Sequence, residues 1–257
     1  MGEPIFTSDG PRFVPTGLAR GPWSPDAQHG GAPGALLARE IERIASEAAM
    51  RVARLTVEFI RPVPLEPLEV HAELLRPGSR VQLVGASLRA ADVEVARATA
   101  LRIRHAAEPI SPGTDPEPPP APPDSVAANE PEERFTRTFV GAMDQRFVAG
   151  GYRMGPSTVW MRLRQPLVDD EAPSGLVRTV AAADFGNGVS AALDWDEHLF
   201  INPDLTVYLD REPEGEWVCL EARTRIDPHG GGTAESALFD LEGRIGRSLQ
   251  ALYVDVR

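Results

Sequence analysis

Leu55-Thr56-Val57-Glu58-Phe59 and Leu205-Thr206-Val207-Tyr208-Leu209 share one alternating pattern 150 positions apart, and an arginine follows each at the same offset, Arg61 and Arg211. Apolar and polar residues in alternation turn one strand face to a core and the other to solvent. Its recurrence at a fixed offset marks an internal repeat. Outward from the first pentapeptide, Leu68 to Leu75, Val81 to Leu88 and Val93 to Ile103 continue as a strand meander. Upstream, Gly34 to Ile44 sets Leu36, Leu37, Ile41 and Ile44 at helical spacing among charged residues. Outward from the second, Trp217 to Arg225, Ala234 to Leu241 and Gly243 to Val254 supply strands, and Ser174 is placed to cap a helix running through Leu176, Val177, Val180 and Ala181 toward Gly186. Each half reads as a helix followed by an antiparallel sheet, an α+β unit. Residues 108–132, rich in proline and acid and without apolar periodicity, read as an extended, solvated linker between units at 1–107 and 133–257.

Composition narrows the function. The chain has 257 residues, 42% of them hydrophobic, enough for a sizeable core. No run of about 20 apolar residues is present to span a bilayer, and the N-terminal stretch lacks a signal-peptide core, so a cytoplasmic location without a membrane span is expected. The single cysteine, Cys219, allows no internal disulfide or thiolate cluster. A net charge of -12 without segregated arginines argues against nucleic acid as a partner. Lysine does not occur, which removes Schiff-base, pyridoxal phosphate and Walker A chemistry. The five histidines show neither i, i+4 spacing nor evident carboxylate partners, so no metal site is expected. Gly186-Asn187-Gly188-Val189-Ser190-Ala191 fits a loose dinucleotide-binding pattern, but it follows a helix instead of a strand.

Further motifs carry a resemblance. Gln28-His29-Gly30-Gly31 leads into a helix, and Phe59-Ile60-Arg61-Pro62 ends a strand; both are similar to motifs of the bacterial type II acyl-CoA thioesterases and their actinobacterial relatives. Those proteins carry two hotdog units, each a helix laid on a sheet, in one polypeptide. The resemblance implies a double hotdog with its active site in the C-terminal unit. It puts the family's catalytic acid at Asp184, its hydroxyl-bearing partner at Asn202 (a departure from Thr or Ser), and its glutamine at Gln250. His29, Gly30, Gly31 and Arg61 are the expected substrate-binding residues, and the phosphates of coenzyme A would meet Arg61 or other surface arginines.

The residues support part of this on their own. At the 150-residue offset Asn202 corresponds to Val52 and Gln250 to Ala100, so one copy alone holds hydrogen-bonding groups. A buried amide left unpaired costs about 1–3 kcal/mol, which implies a partner, and a held water is the simplest one. Thioester hydrolysis needs a positioned water, a carboxylate and a donor for the oxyanion. The expected function is therefore hydrolysis of acyl-CoA-type thioesters by direct water activation, with Asp184 as base or water orienter, Asn202 and Gln250 fixing the water, and no cofactor. A role in fatty acid metabolism and homo-oligomer formation through exposed sheet edges accompany this reading. Two alternatives stand beside it: a non-catalytic acyl-binding protein, and a hotdog enoyl hydratase or dehydratase, which would use an Asp and His pair.

Overall fold

The computed structural model describes residues 2–111, 117–169 and 171–257. In the first half, β1 (Phe6–Asp9) and β2 (Arg12–Pro15) precede α1 (Gly31–Glu42), which leads to β3 (Met50–Phe59), β4 (Leu68–Arg76), β5 (Val81–Ala90) and β6 (Val93–Arg104). In the second, β7 (Met143–Ala149) and β8 (Ser157–Leu163) precede α2 (Gly175–Ala183) and the short α3 (Gly186–Val189); β9 (His198–Ile201), β10 (Asp204–Leu209), β11 (Trp217–Asp227), β12 (Gly231–Asp240) and β13 (Gly243–Val256) follow. The strands form one sheet in the order β1-β2-β4-β5-β6-β3-β10-β13-β12-β11-β8-β7, with β9 also on β13.

Read from its centre, β3-β6-β5-β4-β2-β1 is matched by β10-β13-β12-β11-β8-β7. At that centre Thr56 pairs with Thr206, Leu55 with Val207 and Val57 with Leu205. The two pentapeptides are each other's partners, related by a local two-fold axis between the threonines, where Thr206 Oγ1 donates to Thr56 Oγ1 at 3.2 Å. The repeat seen in the sequence is therefore the joint of the fold, and the architecture is a double hotdog.

Both helices lie together under the sheet. A Cβ at Gly34 would meet Val180 Cγ1 at 3.3 Å, so glycine allows the close crossing. Leu36, Leu37 and Ile41 of α1 and Val180 of α2 are fully buried in one cluster with Val57 and Leu205. Each such side chain contributes about 1.5–3 kcal/mol of transfer free energy. The first helix starts at Gly31, three residues ahead of its apolar periodicity, because Pro33 fits the first turn, where no N–H is needed.

Two features depart from the sequence reading. The strands β1, β2, β7, β8 and β9 were not marked by it; β1 and β9 have only four residues, and β1 is mostly exposed. The sheet's first strand nonetheless anchors to the second half, since the N–H groups of Ile5 and Phe6 donate to the carbonyls of Pro166 and Leu167 at 3.0 and 2.9 Å. The linker needs a refinement: residues 112–116 lie outside the described residues, and most of the rest is exposed as expected, but it is tied to the second half by hydrogen bonds. Trp160 Nε1 donates to the Ala121 carbonyl at 2.8 Å, Arg146 Nη1 to that of Pro123 at 3.1 Å, and the Asn129 N–H to that of Gln145 at 2.7 Å. Proline-rich backbone keeps its carbonyls free as acceptors, and the fully buried Trp160 supplies a donor that needs one.

Candidate active site

The site forms where the C-terminal end of α2 meets the N-terminal end of α1. Ser174 caps α2 by accepting from the Val177 N–H at 3.1 Å, and the helix ends at Asp184. The side chain of Asp184 is 3% exposed. A buried carboxylate needs donors; two side-chain amides supply them, and an imidazole packs beside it. Asn202 Nδ2 donates to Oδ1 at 2.8 Å, Gln250 Nε2 approaches the same oxygen at 3.3 Å, and His29 Nδ1 lies 3.0 Å from Oδ2. The expected trio of Asp184, Asn202 and Gln250 is thus brought together.

Each partner comes from a different element. Asn202 sits in the corner between β9 and β10, where Pro203 ends one strand run, and its Nδ2 also donates to the Asp204 carbonyl at 3.2 Å. Gln250, buried on the inner face of β13, stands behind the carboxylate: Nε2 also reaches the Asp184 carbonyl at 3.3 Å, and Oε1 accepts from the Asn187 N–H at 3.0 Å. Its amide is occupied by protein groups, and Gln250 is not among the residues that line the cavity.

The first half contributes the other wall. Gly30 is the N-cap of α1, and a Cβ there would lie 2.8 Å from Asp184 Oδ2 and from Phe59 Cζ. Only glycine lets the helix N-terminus, with its positive dipole end, come this close to the carboxylate. Gly31 does not line the cavity; a Cβ there would meet Phe139 Cε1 at 2.7 Å and the Ala181 carbonyl at 2.8 Å, so glycine also allows close helix packing. The histidines, read from sequence as lacking carboxylate partners, also need correction, because His29 faces Asp184 across 155 residues of chain.

A cavity of about 890 Å³ opens onto this cluster. His29, Gly30 and Arg61 line it from the first half and Asp184 and Asn202 from the second, so the site belongs to both halves and not to the C-terminal unit alone. Trp23, Tyr152 and Trp195 supply an aromatic wall, with ring centroids of Trp23 and Trp195 5.5 Å apart. Burial pushes the Tyr152 phenol up, offset in part by its hydrogen bond to Gln145, and keeps it neutral. Arginines 61, 134 and 153 reach the cavity, but Glu130, Glu132 and Asp196 line it too, so the local concentration of positive charge that a bound polyphosphate would favour is partly cancelled. Among the described residues no three His, Cys, Asp or Glu side chains converge as metal ligands, and no helix is long and apolar enough to cross a membrane.

The fold is thus a double hotdog in which a buried carboxylate at a helix end faces a largely apolar cavity. The chain belongs to the acyl-CoA thioesterase family: residues 19–103 match its N-terminal domain and residues 103–254 its C-terminal domain. In the coarse sense it is a thioesterase. No curated protein gives a significant sequence match. Among solved structures, a hotdog protein of unknown function from Alicyclobacillus acidocaldarius superposes with a TM-score of 0.75 at 18% identity, covering 98% of this chain and 96% of that one. Acyl-CoA thioesterase II TesB2 from Mycobacterium marinum gives 0.64 at 17% identity, covering 89% and 91%. The tesB protein of Mycobacterium avium subs paratuberculosis gives 0.67 at 14% identity, covering 97% and 96%. Identities this low speak for the fold alone.

Proposed function

We propose that the protein hydrolyses acyl-CoA thioesters to free acid and coenzyme A by activating water directly, without a covalent intermediate, metal or organic cofactor. The observation that carries this reading is the meeting of Asp184, Asn202, His29 and Gly30 on one cavity. Asp184 supplies the negative charge against which a water is oriented, Asn202 stands in for the family's Thr or Ser, since its amide both donates and accepts, and Gln250 fixes the carboxylate from behind. Among the described residues the Gly30 N–H has no backbone acceptor, which makes it the donor for the developing oxyanion. One such donor is worth about 3–4 kcal/mol of transition-state stabilisation. The acyl group lies along the aromatic wall and Arg61 meets the coenzyme A phosphates.

The same reading keeps units at 1–107 and 133–257 joined by residues 108–132, and places a homo-oligomer in the cytoplasm, in fatty acid metabolism. The His29–Asp184 pair also supplies what a hotdog hydratase would need, so the assay carries both chemistries. Free thiol release is measured over acyl-CoAs of increasing chain length, and hydration over 2-enoyl-CoAs, for the wild type, Asp184→Ala and Gln250→Ala at matched thermal stability. Thiol release lost in both variants is the expected result. Hydration without thiol release would move the protein to the hydratases, and a rise in melting temperature with no turnover would make it an acyl-binding protein.

A further inference from the structure

We propose that the acyl group taken by this protein is a short aryl-substituted acid, with an aromatic ring one or two carbons from the thioester carbonyl, in preference to a straight saturated chain; this rests on the thioesterase reading above. The composition of the cavity wall decides between the two. Of the chain's nine Phe, three Tyr and four Trp residues, six line the cavity: Trp23, Phe59, Phe135, Tyr152, Phe185 and Trp195. Among the described residues no Leu or Met does. An alkyl chain gains by burial alone, which Leu and Met supply as well as rings do, and methionine adapts to guests of varied shape. Rings are costlier to place and add one thing, a preference for a guest ring set edge-to-face or offset, worth about two- to tenfold in affinity.

The wall is also held rigid. Trp195 meets Tyr152 at 5.8 Å between centroids and 77°, and Phe200 at 6.3 Å and 61°, while Arg153 lies over its ring at 5.2 Å. Tyr152 is fixed in turn, its hydroxyl donating to Gln145 Oε1 at 2.7 Å. Trp23 packs on Phe200 at 5.4 Å and 75° yet keeps 37% of its surface exposed, so ring surface is left for a guest.

These rings begin close to the reacting centre. Phe200, buried and in contact with both tryptophans, precedes Asn202 by two residues at the end of β9, about 7 Å of extended backbone. On the other side Phe185 directly follows Asp184 and lines the cavity. A guest ring that meets this wall needs only one or two carbons between itself and the carbonyl that Asp184 and Asn202 serve. Hydrolysis adds water across the carbon–sulfur bond, hydroxyl to the acyl carbon and hydrogen to sulfur, and releases an arylalkanoic acid and free thiol.

Three eight-carbon thioesters of coenzyme A test the assignment by free thiol release: phenylacetyl-, cyclohexylacetyl- and octanoyl-CoA. The first is expected to exceed each of the others at least about threefold in kcat/KM. Trp195→Leu and Trp23→Leu keep an apolar side chain and remove the ring. In each, the ratio of phenylacetyl to octanoyl kcat/KM should fall about threefold to tenfold. Because the ratio is taken within one variant, a general loss from disturbed packing cancels. A wild type that cleaves octanoyl- or cyclohexylacetyl-CoA within about threefold of phenylacetyl-CoA, or faster, overturns the aryl assignment and leaves the thioesterase reading intact; so does thiol release from longer chains alone. A ratio unchanged in both folded variants overturns it as well. A wild type silent on every thioester instead overturns the thioesterase reading, and the aryl assignment with it.

Discussion

Each half of the molecule buries a polar cluster near the end of its hotdog helix, and the two clusters are built for different ends. In the first half Arg102, 4% exposed, donates from Nη1 to the Ile44 carbonyl just past α1 at 2.7 Å and from Nη2 to Gln82 Oε1 at 2.6 Å; Gln82 Nε2 in turn reaches Ser46 Oγ at 3.0 Å. The cluster ties helix to sheet and, among the described residues, leaves Arg102 Nε as a buried donor without a partner. In the second half Asp184, Asn202 and Gln250 are equally interlocked, but Asp184 and Asn202 remain on a cavity wall. Burial of polar groups alone does not mark a site. What separates the two is whether the network ends on a cavity.

Substitutions that treat the halves alike should therefore give unlike results. The largest effect is expected from Asp184→Asn, which keeps the shape but removes the charge: thioester turnover should fall about 10³-fold or more, measured as free thiol release. Arg102→Met, its counterpart in the comparison, should leave kcat per folded molecule unchanged and cost about 2–4 kcal/mol in a urea melt, because the Ile44 carbonyl and Gln82 lose their donor. Activity lost in folded Arg102→Met would break the comparison. Ala100→Gln writes the residue of position 250 into the first half; with no carboxylate to meet, the buried amide should cost about 1–3 kcal/mol and confer no new activity. The smallest effect belongs to the linker: Trp160→Phe removes the bond to the Ala121 carbonyl and should cost about 1 kcal/mol. In the wild type Cys219, packed in the Trp160 cluster with its thiol pushed up by burial, should react with alkylating agents only on unfolding.

The sequence carried these features unequally. The repeat was legible because strand alternation and a constant offset are local properties of the chain; Asn202 and Gln250 stood out because the other copy has Val52 and Ala100 at their positions, while Asp184 was placed only by the family resemblance. The His29–Asp184 pair was not legible. His29 and Asp184 meet only because α1 and α2 cross at Gly34, and no spacing rule connects residues in different halves. The packing of the linker was hidden for a related reason: its composition describes what the segment cannot build by itself, while its free carbonyls are used by donors on two strands, β7 and β8, that alternation did not reveal.

The meeting of Thr56 with Thr206 has a consequence for inheritance. Two separate copies of a one-unit protein, joined across such an axis, would share a single gene, and every substitution would appear on both sides at once. Joined in one chain, the sides can change independently: an amide can be placed at position 250 while position 100 keeps a methyl group, and an arginine can be locked into one half without filling the cavity of the other. That independence leaves no redundancy, because a lesion at Asp184 has no twin across the axis to take over its work.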